Sequence, residues 1–231
     1  MPLLDTGETP MKPAEYAEHR ILEAILDRSY APGDALPGER VLARSLGVTR
    51  PTLRETLQRL AKEGWVTISH GRPTRVNNYL SSGGLGILTT LARYGDYLSA
   101  DMIRHLLEAR ILILPGVAAR AAENDPDALL DYLAGSMPGN RDPAGFARFD
   151  WDLQTLMVSR VENPVLGMIF NDFAPVYQVL GERYFAMETA RNHSLAYYRG
   201  LEQALAGGRS DIRAMVETAM KEARDLWEAL P

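Results

Sequence analysis

Residues 37–76 read PGERVLARSLGVTRPTLRETLQRLAKEGWVTISHGRPTRV, and the fold follows from how this stretch divides. Thr49 stands where a helix N-cap belongs, and Pro51 falls in the first turn, where its missing N–H is no loss. Leu53, Leu57 and Leu60 then recur at helical spacing and face a core. Arg50 and Arg54, four residues apart, share an exposed face with Thr52 beside them. Upstream, Val41-Leu42-Ala43 and Leu46 mark a shorter amphipathic helix that closes at Gly47. The pattern predicts a helix-turn-helix whose second helix faces solvent. After Gly64, Val66-Thr67-Ile68-Ser69 alternates as a strand and Thr74-Arg75-Val76 returns beside it. His70-Gly71-Arg72-Pro73 form a basic tip, so the hairpin is a wing.

Charge singles out the same segment. Residues 35–78 carry eight Lys/Arg against three Glu, a net of +5, in a chain whose total is −5. The remaining residues therefore sum to −10. A basic island in an acidic protein predicts a localised polyanion-binding face.

Outward from this core, residues 1–11 read as a flexible leader. Lys12–Ser29 reads as a helix with Ala17, Ile21, Leu22, Ala24, Ile25 and Leu26 on its apolar face. Asn77–Gly84 is polar and glycine-rich, the composition of a linker. From Leu85 onward only helices are expected: 85–94, then 100–123 capped by Ser99 and bent at Pro115, then 127–133, 144–161, 164–185, 192–206 and 211–230. The expected fold is mainly α: a winged helix-turn-helix domain over 1–78, a linker over 79–84, and an all-helical bundle over 85–231.

The composition narrows the function classes. Zero cysteines exclude disulfides and thiolate metal sites. No apolar run approaches the ~18 residues of a membrane span, and the first residues lack a secretory pattern, so a cytoplasmic chain without a membrane partner is expected. No HExxH or GxSxG occurs, and no enzyme is expected.

The run PGERVLARSLGVTRPTLRETLQRLAKEGWVTISHGRPTRVNN resembles the winged-helix domain of the GntR family of transcription regulators, and is most similar to its fatty-acid-responsive FadR subfamily. Gly86–Arg93, Glu162-Asn163-Pro164 and Arg183-Tyr184-Phe185-Ala186 extend the resemblance into the second half. It implies a homodimer that grips double-stranded operator DNA, as repressor or activator, with Arg40, Thr49, Arg50, Thr52, Arg54, His70, Gly71 and Arg72 at the contact. Pro51 stands where those regulators have a threonine, and Arg72 replaces a lysine. An arginine at Arg50 or Arg54 suits bidentate contact with guanine O6 and N7.

Many relatives with this second domain hold a metal through an aspartate and three histidines. Here Asp150 is present, but Gln154, Tyr198 and Lys221 stand at the other positions. The resemblance therefore implies no metal and no cofactor. It implies instead a long-chain acyl-CoA effector, with Asp150, Tyr184, Tyr198, Glu222 and Trp227 as candidates for its pocket or hinge helix. Met157, Met168, Phe170, Phe173 and Met187 are candidates for an acyl tunnel. Arg110, inside an apolar helix, needs a partner if buried; Asp150 and a CoA phosphate are the candidates. A different small carboxylate or acyl thioester is the alternative effector.

Overall fold

The computed structural model describes residues 11–94, 97, 99–135, 137–138, 142–207 and 211–229. The leader expected over 1–11 lies, except for Met11, outside them, as do several residues of the expected 135–143 loop. The chain divides into two compact units, Met1–Ile87 and Leu88–Pro231.

In the first unit, α1 (Pro13–Leu26) buries Ala17, Ile21, Leu22 and Ile25, while α2 (Glu39–Leu46) buries Leu42 and Ala43. Helix α3 (Arg50–Glu63) starts as its sequence dictates, with the Thr49 hydroxyl accepting from the Thr52 amide at 3.3 Å. Leu53, Leu57 and Leu60 are buried, each contributing about 1.5–3 kcal/mol on removal from water. Helix α1 packs on α3, where Thr56 Oγ1 donates to the Ala14 carbonyl at 3.3 Å and Arg59 pairs with Glu18 at 2.7 Å.

Gly64 ends α3 at φ 93°, a left-handed conformation that favours glycine. A Cβ there would sit 3.0 Å from the Gly83 Cα and 3.1 Å from the Ser82 carbonyl oxygen, so close packing demands glycine as well. The wing strands β1 (Val66–Thr67) and β2 (Arg75–Val76) pair antiparallel, shorter than the alternation predicts. Ile68 and Ser69 are exposed, and the Arg72 amide turns back onto the Ser69 carbonyl at 3.2 Å, which ends the ladder. Ala35 extends the sheet by a bridge to Arg75.

Residues 77–84 depart from the extended linker their composition suggests. Tyr79–Ser82 forms a one-turn helix, α4, and the Tyr79 ring lies 4.7 Å from that of the fully buried Trp65. Asn77 anchors its start by donating to the Gly64 carbonyl and accepting from Thr67 Oγ1. Local polarity reads as linker, but these side chains find partners on the wing and the end of α3.

Helix α5 (Gly86–Arg93) leads into the second unit, which continues with α6 (Ala100–Asn124), α7 (Pro126–Ala134), α8 (Pro143–Arg160), α9 (Pro164–Phe185), α10 (Glu188–Gly207) and α11 (Ile212–Glu228). Ser99, Asp125, Asp142, Asn163 and Asp211 each accept from a first-turn amide and fix the starts of α6, α7, α8, α9 and α11. Helix α6 runs through the buried Pro115, and α9 through Pro175. Helix α6 packs on α8 and α11, α8 on α9, and α10 on α7 and α11. The core between them holds Leu114, Ala118, Leu129, Phe146, Leu153, Met157, Leu201 and Val216.

Candidate nucleic-acid interface and effector cavity

Arg40, on the first turn of α2, and Arg50 and Arg54, on α3, are exposed; so are His70, Gly71 and Arg72 at the wing tip. These six residues line one concave surface between the wing and the two helices. Gly71 adopts φ 69°, which lets the tip turn without a side chain over its backbone. Thr49 and Thr52 lie outside that concavity and bond to each other, hydroxyl to hydroxyl, at 2.8 Å. Their oxygens thus serve the start of α3, which points amide donors outward. One residue of the concavity escaped the sequence reading. Glu39 Oε2 lies 2.6 Å from Arg54 Nη2 and 3.9 Å from Arg50 Nη2.

In the second unit, α6, α8, α9 and α11 enclose a cavity of about 120 Å³. Its wall is nearly all carbon: Ile103, Leu107, Leu114, Phe170, Phe173, Val176 and Leu180, closed by Ala223 and Trp227. Arg110, Gln154, Tyr177 and Tyr184 supply the polar part of the wall. Asp150, on α8 behind them, is the acceptor on which Arg110, Gln154 and Tyr177 converge. It accepts from Arg110 Nη2 at 3.0 Å, from Gln154 Nε2 at 2.6 Å, from Tyr198 Oη at 2.8 Å, and from the Tyr177 hydroxyl. Burial would cost Arg110 its charge, but Asp150 and the surrounding tyrosines hold its pKa above the ordinary arginine value. Burial first, and Asp150 second, push Tyr177 and Tyr198 well above theirs. Tyr184 is pushed up to about 12, chiefly by burial.

Comparison with known proteins places the two units. Residues 13–76 match the model for bacterial regulatory proteins of the gntR family, and residues 77–231 match the FadR C-terminal domain. A fatty acid metabolism regulator protein of Enterobacter sp. (strain 638) is 38% identical over 216 residues, 94% of this chain and 90% of that protein. The chain belongs to the GntR family, in its FadR branch. The like-named protein of Shewanella denitrificans is 37% identical over 219 residues, 94% of this chain and 92% of its own. Among solved structures, Lar, which controls the expression of the Listeria monocytogenes agr system, matches with a TM-score of 0.65 at 18% identity. That match covers 97% of this chain and 100% of Lar, and it shows the shared fold.

Within this FadR-type domain, the four positions compared with a metal set do not converge. Asp150, Gln154 and Tyr198 are joined by hydrogen bonds, whereas Lys221 is half exposed and pairs with Glu217 at 2.6 Å. Among the described residues no group of three or more His, Asp or Glu is placed to hold a metal ion. Arg110 supplies the positive charge that Asp150 faces.

The candidate ligand residues separate in the same way. Arg110, Tyr184 and Trp227 line the cavity, the last two with stacked rings 6.1 Å apart. Asp150 and Tyr198 stand behind its wall. Glu222 does not reach it: its side chain is 59% exposed and meets His193 Nε2 at 3.1 Å. Of the tunnel candidates, Phe170 and Phe173 line the cavity. Met157 is fully buried core and Met168 is 68% exposed, while Met187 lies away from the wall. Helical spacing marks an apolar residue but does not say which side of α8 or α9 meets the space. Trp151 and Tyr177 were missed, although both line the cavity with rings 4.8 Å apart. Their one signal is position: Trp151 adjoins Asp150, and a tyrosine in an apolar helix needs a partner for its hydroxyl.

Proposed function

We propose that this protein is a cytoplasmic, homodimeric transcription regulator of fatty-acid metabolism. Residues 1–78 bind operator DNA, 79–84 link, and 85–231 bind the effector and contribute to the dimer. Arg50 and Arg54 enter the major groove, Arg40, Thr49 and Thr52 meet phosphate, and His70, Gly71 and Arg72 follow the minor groove. A long-chain acyl-CoA in the second unit lowers operator affinity. It needs to favour the DNA-free arrangement by about 1–3 kcal/mol to act as a switch. No membrane partner, metal or catalytic step enters this reading, and among the described residues no helix is long and apolar enough to cross a membrane.

The observation that carries the effector reading is the apolar cavity with one polar wall. Phe170, Phe173 and Leu180 suit an alkyl chain, and the relatives are named for fatty acid metabolism. A second reading, a different small carboxylate or acyl thioester, draws on the buried Arg110 Nε, which has no acceptor among the described residues. Titration of a protein–operator complex with oleoyl-CoA, oleate and free CoA tests both. Release by oleoyl-CoA alone supports the first reading, and unchanged operator affinity with oleoyl-CoA overturns it.

A further inference from the structure

Among the described residues lining the concave face of the first unit, Glu39 is the single acid. A carboxylate there is repelled by the phosphates of any duplex, so its presence calls for a reason. Stability is a weak one. Glu39 and Arg54 are 32% and 57% exposed, and pairs so exposed stabilise a fold little.

The geometry gives a better one. Glu39 accepts from Arg54 Nη2 through Oε2 at 2.6 Å and from Arg54 Nε through Oε1 at 3.3 Å. This fork occupies the side edge of the guanidinium. The opposite end, Nη1 with the second hydrogen of Nη2, is left over, and a parallel pair of N–H groups is what guanine O6 and N7 accept. Both partners are fixed at their backbones, since Glu39 opens α2 and Arg54 stands in the second turn of α3. Hydrogen bonding from Arg54 also holds the Glu39 carboxyl below its ordinary pKa range.

We propose that Glu39 is a positioning residue for DNA specificity, aiming the free end of Arg54 at a guanine while its charge weakens binding to every sequence alike. The inference rests on the DNA-binding reading above and adds a determinant that touches no base itself.

The test enriches duplexes from a randomised library with the full-length protein, Glu39→Gln, Glu39→Asp and Arg54→Ala. The enriched duplex and a scrambled duplex are then titrated across a salt series. Glu39→Gln is expected to bind the scrambled duplex about 3- to 10-fold more tightly, with a salt dependence steeper by roughly one phosphate contact. Its preference at the base pair that Arg54→Ala no longer reads should fall about 5- to 20-fold, with other positions unchanged. Glu39→Asp keeps the charge but shortens the fork, so the scrambled duplex should bind as for the unmodified protein while the same base preference relaxes. Glu39 is only a staple between α2 and α3 if Glu39→Gln lowers the melting temperature and leaves the preference profile intact; that result overturns the proposal. If the unmodified protein enriches no sequence, the DNA-binding reading itself fails, an outcome the library reports separately.

Discussion

Arg110 on α6, in the wall of an apolar cavity, and Asp150 on α8, behind that wall, form an ion pair at 3.0 Å, with side chains 21% and 5% exposed. Each justifies the other. Asp150 also takes hydrogen bonds from Gln154, Tyr177 and Tyr198, so one carboxyl gathers side chains from four helices.

Removing that carboxyl is expected to cost more than the pair contributes. Asp150→Ala leaves Arg110 charged and buried, with three further donors unpaired, and should lower stability by about 3–5 kcal/mol. The double replacement Arg110→Met with Asp150→Leu should recover the part due to the unpaired charge, while Gln154, Tyr177 and Tyr198 still lack their acceptor. Urea denaturation of the two single variants and the double completes the cycle.

Alkaline stability follows from the buried tyrosines. Burial raises Tyr184 from the ordinary 10.0 to about 12, and Tyr177 and Tyr198 are raised well above the same value. The unfolded chain releases these protons from about pH 10 while the folded protein keeps them. The stability they confer is therefore full below pH 10 and declines as pH rises through the folded values. Tyrosinate absorbance in an alkaline titration should show these groups ionising together with loss of helical circular dichroism.

At Gly64, two constraints coincide. Gly64→Ala imposes a Cβ on a left-handed residue and drives it against the backbone of Ser82 and Gly83. A loss of roughly 1–3 kcal/mol is expected, with the α4 turn released from the wing. Thermal unfolding measures the first effect and amide exchange at residues 79–83 the second.

Arg54→Ala should weaken a specific duplex by roughly 1–3 kcal/mol and relax preference at one base pair. Equal weakening on all sequences would instead assign Arg54 to phosphate. Fluorescence anisotropy with matched and mismatched duplexes distinguishes them.

Ala223, on α11, lines the cavity beside Trp227 of the same helix. Ala223→Phe fills part of the about 120 Å³ and should raise the oleoyl-CoA concentration needed to release DNA at least tenfold. Calorimetric titration of oleoyl-CoA into the variant checks the loss directly.

The sequence by itself determined the helix-turn-helix, the basic tip and the succession of helices from α5 to α11. These depend on neighbours along the chain. Thr49 caps because Thr52 is three residues on, Leu53, Leu57 and Leu60 face one way because of the helical period, and Pro and Gly punctuate locally. The need of Arg110 for a partner was also legible, since charge inside an apolar helix has few resolutions. Only the tertiary structure decided that Asp150 is that partner and that Tyr177 and Tyr198 join it. It alone excluded Glu222 and Met168 from the cavity, turned 79–82 into a docked helical turn, and set Glu39 against Arg54. Periodicity says that a face is buried, not against what. Contacts between residues 15, 27 or 48 positions apart come from how helices cross, and no local pattern records that crossing.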